Sequence, residues 1–267
     1  MKVFFNVVLF LCLSISSFAS GLSAHRKAHE SYEDARRRHT FSQSFTIPNQ
    51  AADSLGRYVS AERAKRPLKN LDITLIPDVG SYPDLEREFF YVRDTRFINT
   101  NDTSFPRRLT WMYPDDGCYA RAELAKNELK AHNFPEPKKL FVFGSLYAPS
   151  KNSATGYVQW WYHVAVTYRV GADVYVFDPA IEPLRPLKIS EWNRLVGGEN
   201  SQVQYSICNP NTYDPANDCN QPNPVSGEVS LGEQKQFLGA EWDRLLHLKR
   251  NPEKELGDSP PWLSSAQ

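Results

Sequence analysis

The chain has 267 residues, 41% of them apolar and 23% charged, with 31 basic side chains balanced by 31 acidic ones. With 15 Phe, 13 Tyr and 6 Trp, that composition excludes a disordered chain and supplies a sizeable core. The even charge leaves no basic footprint for nucleic acid or an anionic membrane surface. Four cysteines at this length exclude a small disulfide-stapled scaffold.

The first residues read as an address. Lys2 precedes an apolar run over 3–14, followed by small residues, with Ser17-Phe18-Ala19 fitting a cleavage site. Residues 1–19 are therefore expected to be a signal peptide. The run is too short to span a bilayer, which takes about 20 apolar residues, and no later stretch is long enough. The protein is expected to be exported, secreted or periplasmic, with no membrane contact after cleavage. Cys12 leaves with the signal, and Cys118, Cys208 and Cys219 remain. The turn-rich loop CNPNTYDPANDC predicts a Cys208–Cys219 disulfide, which leaves Cys118 as a free thiol.

Residues 20–70 form a polar extension, net +5 over 24–70, ahead of a body expected over 71–267. It reads equally as a solvated tail or as a pro-segment that docks on the acidic body and is later removed. Residues 71–76 alternate like a strand or an extended lead-in. Ser81 is expected to cap a helix through about residue 93, with Leu85, Phe89 and Val92 on one face. Asn101-Asp102-Thr103 is a glycosylation sequon. An apolar run over 109–113 stops at Pro114-Asp115-Asp116-Gly117, and a helix is predicted from Cys118 to about His132. Strands are predicted over 140–146, 160–168 and 174–177, the last two joined by a turn over 170–173. A short helix over 189–196 and a longer one over 231–250 follow, the latter burying Leu238, Trp242, Leu245 and Leu246; the last residues read as a loose tail.

Cys118 is the residue that invites chemistry. A helix N-terminus favours a thiolate, and its free N–H groups can hold an oxyanion. The alternative is a small buried hydrophobe, against which the polar neighbours Asp116 and Gly117 argue. Of the histidines, His25, His29 and His39 lie in the extension, and His132 sits at the far end of the Cys118 helix. His163 lies mid-strand, where a packing role is the ordinary one. The hairpin alters that. A turn centred on 170–171 sets His163 opposite Asp178; a turn shifted by one sets it opposite Ala180, with Asp178 diagonal on the same face. Asp178 can therefore orient His163, as the third member of a triad does. The bland alternative is a His–Asp pair with no thiol nearby. No phosphate-binding glycine motif, CxxC pair or HExxH is present, and the 209–218 loop lacks the EF-hand pattern. No cofactor or metal is expected.

The run Tyr113-Pro114-Asp115-Asp116-Gly117-Cys118-Tyr119-Ala120-Arg121-Ala122 resembles the nucleophile motif of bacterial protein-glutaminases. Residues 141–146 (FVFGSL), Trp160 with Tyr162-His163-Val164-Ala165, Asp178-Pro179-Ala180 and Ile76-Pro77-Asp78-Val79 resemble further family segments, with Ala180 departing from the family's serine. Trp192 falls where the family has a tryptophan in a short helix. The resemblance implies an α+β fold, with an antiparallel sheet packed on helices around a transglutaminase- and papain-like core. It implies Cys118 as nucleophile, His163 as general base and acid, and Asp178 as orienting carboxylate. It implies deamidation of glutamine side chains in protein substrates through a Cys thioester, and an N-terminal pro-region that blocks the site. Tyr119, Trp160, Trp161 and Tyr162 are expected to line a groove for the glutamine stem, and the protein to be a monomer. The same three residues also suit a cysteine protease or a transglutaminase, and a structural Cys118 would suit a secreted binding module.

Overall fold

The structure, a computed structural model, describes residues 26–27, 29–45, 58–100, 102–197, 202–222 and 224–264. The expected signal peptide over 1–19, Cys12 and the sequon asparagine Asn101 lie outside the described residues.

The centre is a five-stranded antiparallel sheet. Its strands are β1 (Lys138–Pro149), β2 (Tyr157–Val170), β3 (Asp173–Phe177), β4 (Leu187–Lys188) and β5 (Gln204–Cys208), in the order β4-β3-β2-β1-β5. Runs of aromatic and β-branched residues such as Trp160–Val170 favour the extended backbone and cover both faces. On one face Phe141, Val164, Tyr168 and Phe177 join a core with α2 (Tyr82–Asp94), α3 (Cys118–Ala131) and α5 (Gly227–His247). On the other, Leu140, Val142, Ala165 and Val176 pack with Trp192 and Val196 of α4 (Ile189–Val196). The sheet between helices is the α+β arrangement expected from the sequence.

Local signals explain the elements nearest Cys118. Ser81 accepts a hydrogen bond from the Asp84 N–H and caps α2, whose Leu85, Phe89 and Val92 are buried. Gly117 caps α3 at φ +80°, and a Cβ there would stand 2.9 Å from the Phe237 ring. Only glycine meets both conditions. The β2–β3 hairpin turns over Gly171-Ala172, pairing Val170 with Asp173 and Val166 with Phe177. This is the shifted register, with Asp178 diagonal to His163.

Four features differ from expectation. Residues 71–76 carry a 3₁₀ turn, Ile73–Leu75, because the Asp72 carboxylate takes the Thr74 N–H and offers the backbone a local alternative to a strand. The long helix begins earlier, at the cap Ser226, and Leu246 is 54% exposed, outside the buried stripe. The C-terminal residues are docked. After α6 (Pro252–Leu256), α7 (Pro261–Ser264) buries Trp262, whose indole donates to Asp94 Oδ1 at 2.8 Å beneath the Arg93 guanidinium. Finally, residues 58–70 are woven into the body. Arg66 pairs with Tyr205 on the free edge of β5, Ser206 donates to the Ala61 carbonyl, and the Cys219 N–H donates to the Val59 carbonyl. No break in packing falls at 70/71; the packed body reaches back to Tyr58.

Candidate active site

Cys118 opens α3, and its thiol is free but buried, with 3% of the residue exposed. The loop before it is fastened from several sides. Arg121, one turn into α3, donates to the carbonyls of Tyr113 (3.2 Å) and Asp116 (2.6 Å). From α5, Gln234 donates to Thr110 Oγ1 at 2.6 Å, Glu241 accepts the Met112 N–H at 2.9 Å, and Arg244 pairs with Asp115 at 2.8 Å. Trp160 of β2 donates to the carbonyls of Pro114 and Asp115. These bonds consume carbonyls that would otherwise stay unpaired in a buried loop, and they hold the start of α3 against β2.

The sheet distorts at this point. The register of β1 on β2 shifts between Phe143 and Leu146, leaving an extra residue in β1. Opposite the shift, Trp160 and His163 stack at 4.7 Å and 16°, although residues three apart in a regular strand face opposite ways. The shift brings Trp160 round to the face that carries His163, Val142 and Ala165. The His163 Nε2 meets Asp178 Oδ2 at 2.7 Å, and the same oxygen accepts the Trp192 indole N–H at 2.8 Å. His163 and Asp178 are almost fully buried.

Electrostatics bind the three residues together. Burial alone would make the imidazole harder to protonate. The Asp178 carboxylate, by charge and hydrogen bond, and the Cys118 thiol outweigh it and push His163 up to about 9. Burial would raise Asp178, but the His163 charge and the donors from His163 and Trp192 hold it below the usual carboxylate range. With Nε2 engaged by Asp178, Nδ1 is the ring nitrogen left without a hydrogen bond among the described residues. At neutral pH the imidazole keeps its proton, held by the Asp178 charge beside Cys118.

Of the four aromatics expected to line a groove, Trp160, Trp161 and Tyr162 share a pocket with Cys118, together with Arg26, Asp115, Asp116 and Gln159. Tyr119 does not line it. It is 1% exposed and packs edge-on against Tyr213, because its position on α3 turns it into the core. Cys208 and Cys219 are disulfide-bonded, as the loop composition predicts. Among the described residues no group of His, Cys, Asp and Glu is arranged to hold a metal ion.

The N-terminal segment reaches the site. Arg26 donates to the Asp115 carbonyl at 2.9 Å, and the His29 N–H donates to the Tyr113 hydroxyl. In α1 (Tyr32–Phe45), the Tyr32 ring lies 6.2 Å from Trp161 and Ala35 is fully buried. Asp116 and Gly117, which argued for an open thiol, are themselves buried, and so is Cys118.

Sequence reasoning missed the fastening residues Arg121, Glu241 and Arg244. The signal was present in part: Gln234 and Glu241 are polar residues on the face of a helix that otherwise buries Phe237, Leu238 and Leu245.

Comparison with known proteins agrees with the motifs. Residues 85–196 match a family model described as glutaminase. Similar solved structures include a protein-glutaminase from Chryseobacterium proteolyticum (26% identity, 61% of this chain and 88% of that chain, TM-score 0.47). Another is a protein-glutaminase crystal structure (28% identity, 55% and 81%, TM-score 0.40). A third is the A47Q2 mutant of pro-protein-glutaminase (22% identity, 78% and 67%, TM-score 0.45). No curated protein matches the chain. The resemblance to bacterial protein-glutaminases carried by the motifs is borne out over residues 85–196.

Proposed function

We propose that this protein is a protein-glutamine deamidase. The observation that carries the reading is the buried set of Cys118, His163 and Asp178, at the start of α3 and on β2 and its hairpin, inside the segment that matches the glutaminase model. The Cys118 thiolate attacks the γ-carboxamide carbon of a glutamine side chain. The N–H groups that open α3 stabilise the oxyanion. His163 gives its proton to the departing nitrogen, ammonia leaves, and a thioester remains on Cys118. His163, now neutral, takes a proton from water, whose oxygen attacks the thioester; glutamate is released and the thiol returns. Asp178 keeps the imidazole oriented and its cationic form stable.

The segment over Arg26 to Phe45 acts as a pro-segment. What supports this is its contact with Asp115, Tyr113 and Trp161 around the pocket that Arg26 lines together with Cys118. The removable part ends before Tyr58, since residues 58–70 belong to the packed body. Export through the leader at 1–19 fits the Cys208–Cys219 disulfide, which persists in an oxidising compartment.

The test is ammonia release from a denatured glutamine-rich protein, with intact mass of the product. It is run on the full chain, on chain nicked by limited proteolysis, and on Cys118→Ala. Ammonia with unbroken, uncrosslinked product from the nicked chain, and none from Cys118→Ala, is the expected result. New termini instead would make the protein a protease, and crosslinks a transglutaminase.

A further inference from the structure

One group beside Cys118 has no task in that chemistry. Asp116 stands two residues before the thiol and is 6% exposed. Its Oδ1 accepts the Gly117 N–H at 2.5 Å. Its Oδ2 is buried and takes no hydrogen bond from the described residues, although Asp116 lines the same pocket as Cys118 and Tyr162. The neighbouring acid in that pocket is engaged: Asp115 holds Arg244 at 2.8 Å and faces Arg26. The Tyr162 hydroxyl is likewise buried and unpaired, and burial beside Cys118 and Asp116 pushes it well above the usual phenol range, so it remains a donor. A buried carboxylate oxygen without a donor is costly, and such a group calls for a reason, a bound partner in its pocket being one.

We propose that Asp116 is a specificity-determining residue that reads the carboxamide: its Oδ2 accepts a hydrogen bond from the substrate's NH₂ while Cys118 attacks the carbonyl carbon. The inference rests on the deamidase reading. A glutamine side chain offers two N–H donors and one carbonyl oxygen. The carbonyl oxygen turns toward the N–H groups of α3 and the Tyr162 hydroxyl, and the NH₂ toward Asp116. The product has no N–H to offer and carries a negative charge, so the same oxygen that admits glutamine expels glutamate. The contact thus sets which side chain enters and helps the product leave.

Asp116→Asn tests this sharply. The asparagine oxygen keeps the Gly117 N–H, which leaves Nδ2 where Oδ2 stood, donor facing donor. On the proteolytically nicked chain, kcat/KM for a glutamine peptide should fall about 100-fold, the scale of a lost hydrogen bond to a charged group plus a donor clash. The matching glutamate γ-methyl ester peptide has no N–H at the reacting group and should lose less than about threefold. Inhibition by the glutamate product should tighten, because an acceptor has become a donor.

An equal fall on amide and ester, with product inhibition unmoved, would overturn the Asp116 assignment and leave the deamidase reading intact. Unmutated protein that hydrolyses the ester yet releases no ammonia would overturn the deamidase reading itself. Should Asp116→Asn fail to fold, the unmutated enzyme answers through pH. Around Asp116 stand Arg26 and Arg38 of the N-terminal segment, Cys118, Tyr119 and Arg121 of α3, and Tyr162 of β2. Loss of the His163 proton at higher pH can only lower the amide-to-ester ratio, because a departing nitrogen needs that proton more than a departing alkoxide does, so it cannot mimic a rise. A ratio that rises as Asp116 ionises supports the assignment, and a flat ratio overturns it.

Discussion

Two acids near the same helix are buried to a similar degree and treated oppositely. Glu123, 1% exposed in the middle of α3, is held by two ammonium groups, Lys126 at 2.5 Å and Lys139 at 2.6 Å. Lys126 also reaches Asn211 in the disulfide-closed loop at 2.9 Å. Asp116, just ahead of α3, has the Gly117 N–H on one oxygen and, among the described residues, no hydrogen bond on the other, with the Arg26 and Arg121 charges nearby. The saturated cluster ties α3, β1 and the disulfide loop into one scaffold. The unsaturated acid lies beside Cys118, the proposed nucleophile. Burial alone does not mark function; at Asp116 the added signal is an unmet hydrogen-bonding need in the pocket that Cys118 lines.

The comparison extends to Asp178, which is buried, bonded twice through Oδ2 and, in the proposed deamidation, part of the chemistry, so its loss should have the largest effect. Asp178→Asn should lower kcat by about 10³–10⁴-fold, as loss of an orienting carboxylate does in triad enzymes. It should also move the alkaline limit of activity. His163, raised to about 9, keeps its proton at neutral pH and loses it as pH rises through that value. Without the Asp178 charge the loss should begin at lower pH. A pH–rate profile checks this, and an unmoved alkaline limb would remove Asp178 from the account.

Breaking the saturated cluster should cost stability and spare chemistry. Lys139→Met leaves half of Glu123 uncompensated and should destabilise the fold by about 3–5 kcal/mol, read by denaturant unfolding. Turnover per folded molecule should be unchanged. A fall in turnover with no loss of stability would reverse the roles assigned to the two acids.

Asp116→Asn should do the opposite. Burial, against the pull of the Gly117 N–H and of Arg26 and Arg121, pushes Asp116 up to about 7. The unfolded carboxyl ionises near pH 3.9, so its folding penalty is absent below that, grows as pH rises, and is complete above about 7. The amide escapes the penalty. The variant should match the unmutated protein at about pH 4 and exceed it by about 2–4 kcal/mol at pH 8. Thermal unfolding at the two pH values checks this. Stability gained at no pH would mean that Asp116 carries no stored cost.

Much of the site was legible because its geometry is local. The hairpin around Gly171 restricts His163 and Asp178 to being opposite or diagonal, and the 2.7 Å bond follows from either register. Gly117 ends a loop and starts a helix within four residues, and the turn-rich stretch between Cys208 and Cys219 closes on itself. What was not legible depends on contacts distant in sequence. Arg244 and Glu241 clamp a loop 129 residues away, and nothing near either one announces it. Residues 58–70 look like more of a polar extension, yet they fill the open edge of β5 through backbone bonds, which composition does not report. Tyr119 reads as a site aromatic beside the nucleophile, but one step along a helix rotates a side chain by about 100°, which carries it into the core.

The central claim is that a glutamine carbonyl becomes bonded to Cys118. Acid quenching of the nicked protein during turnover of a glutamine peptide, followed by intact mass and peptide mapping, tests it most directly. The account predicts an adduct on Cys118 equal to the peptide less ammonia, discharged on continued incubation and absent from Cys118→Ala. Steady ammonia release with no adduct on Cys118, or with the adduct on another residue, would contradict it.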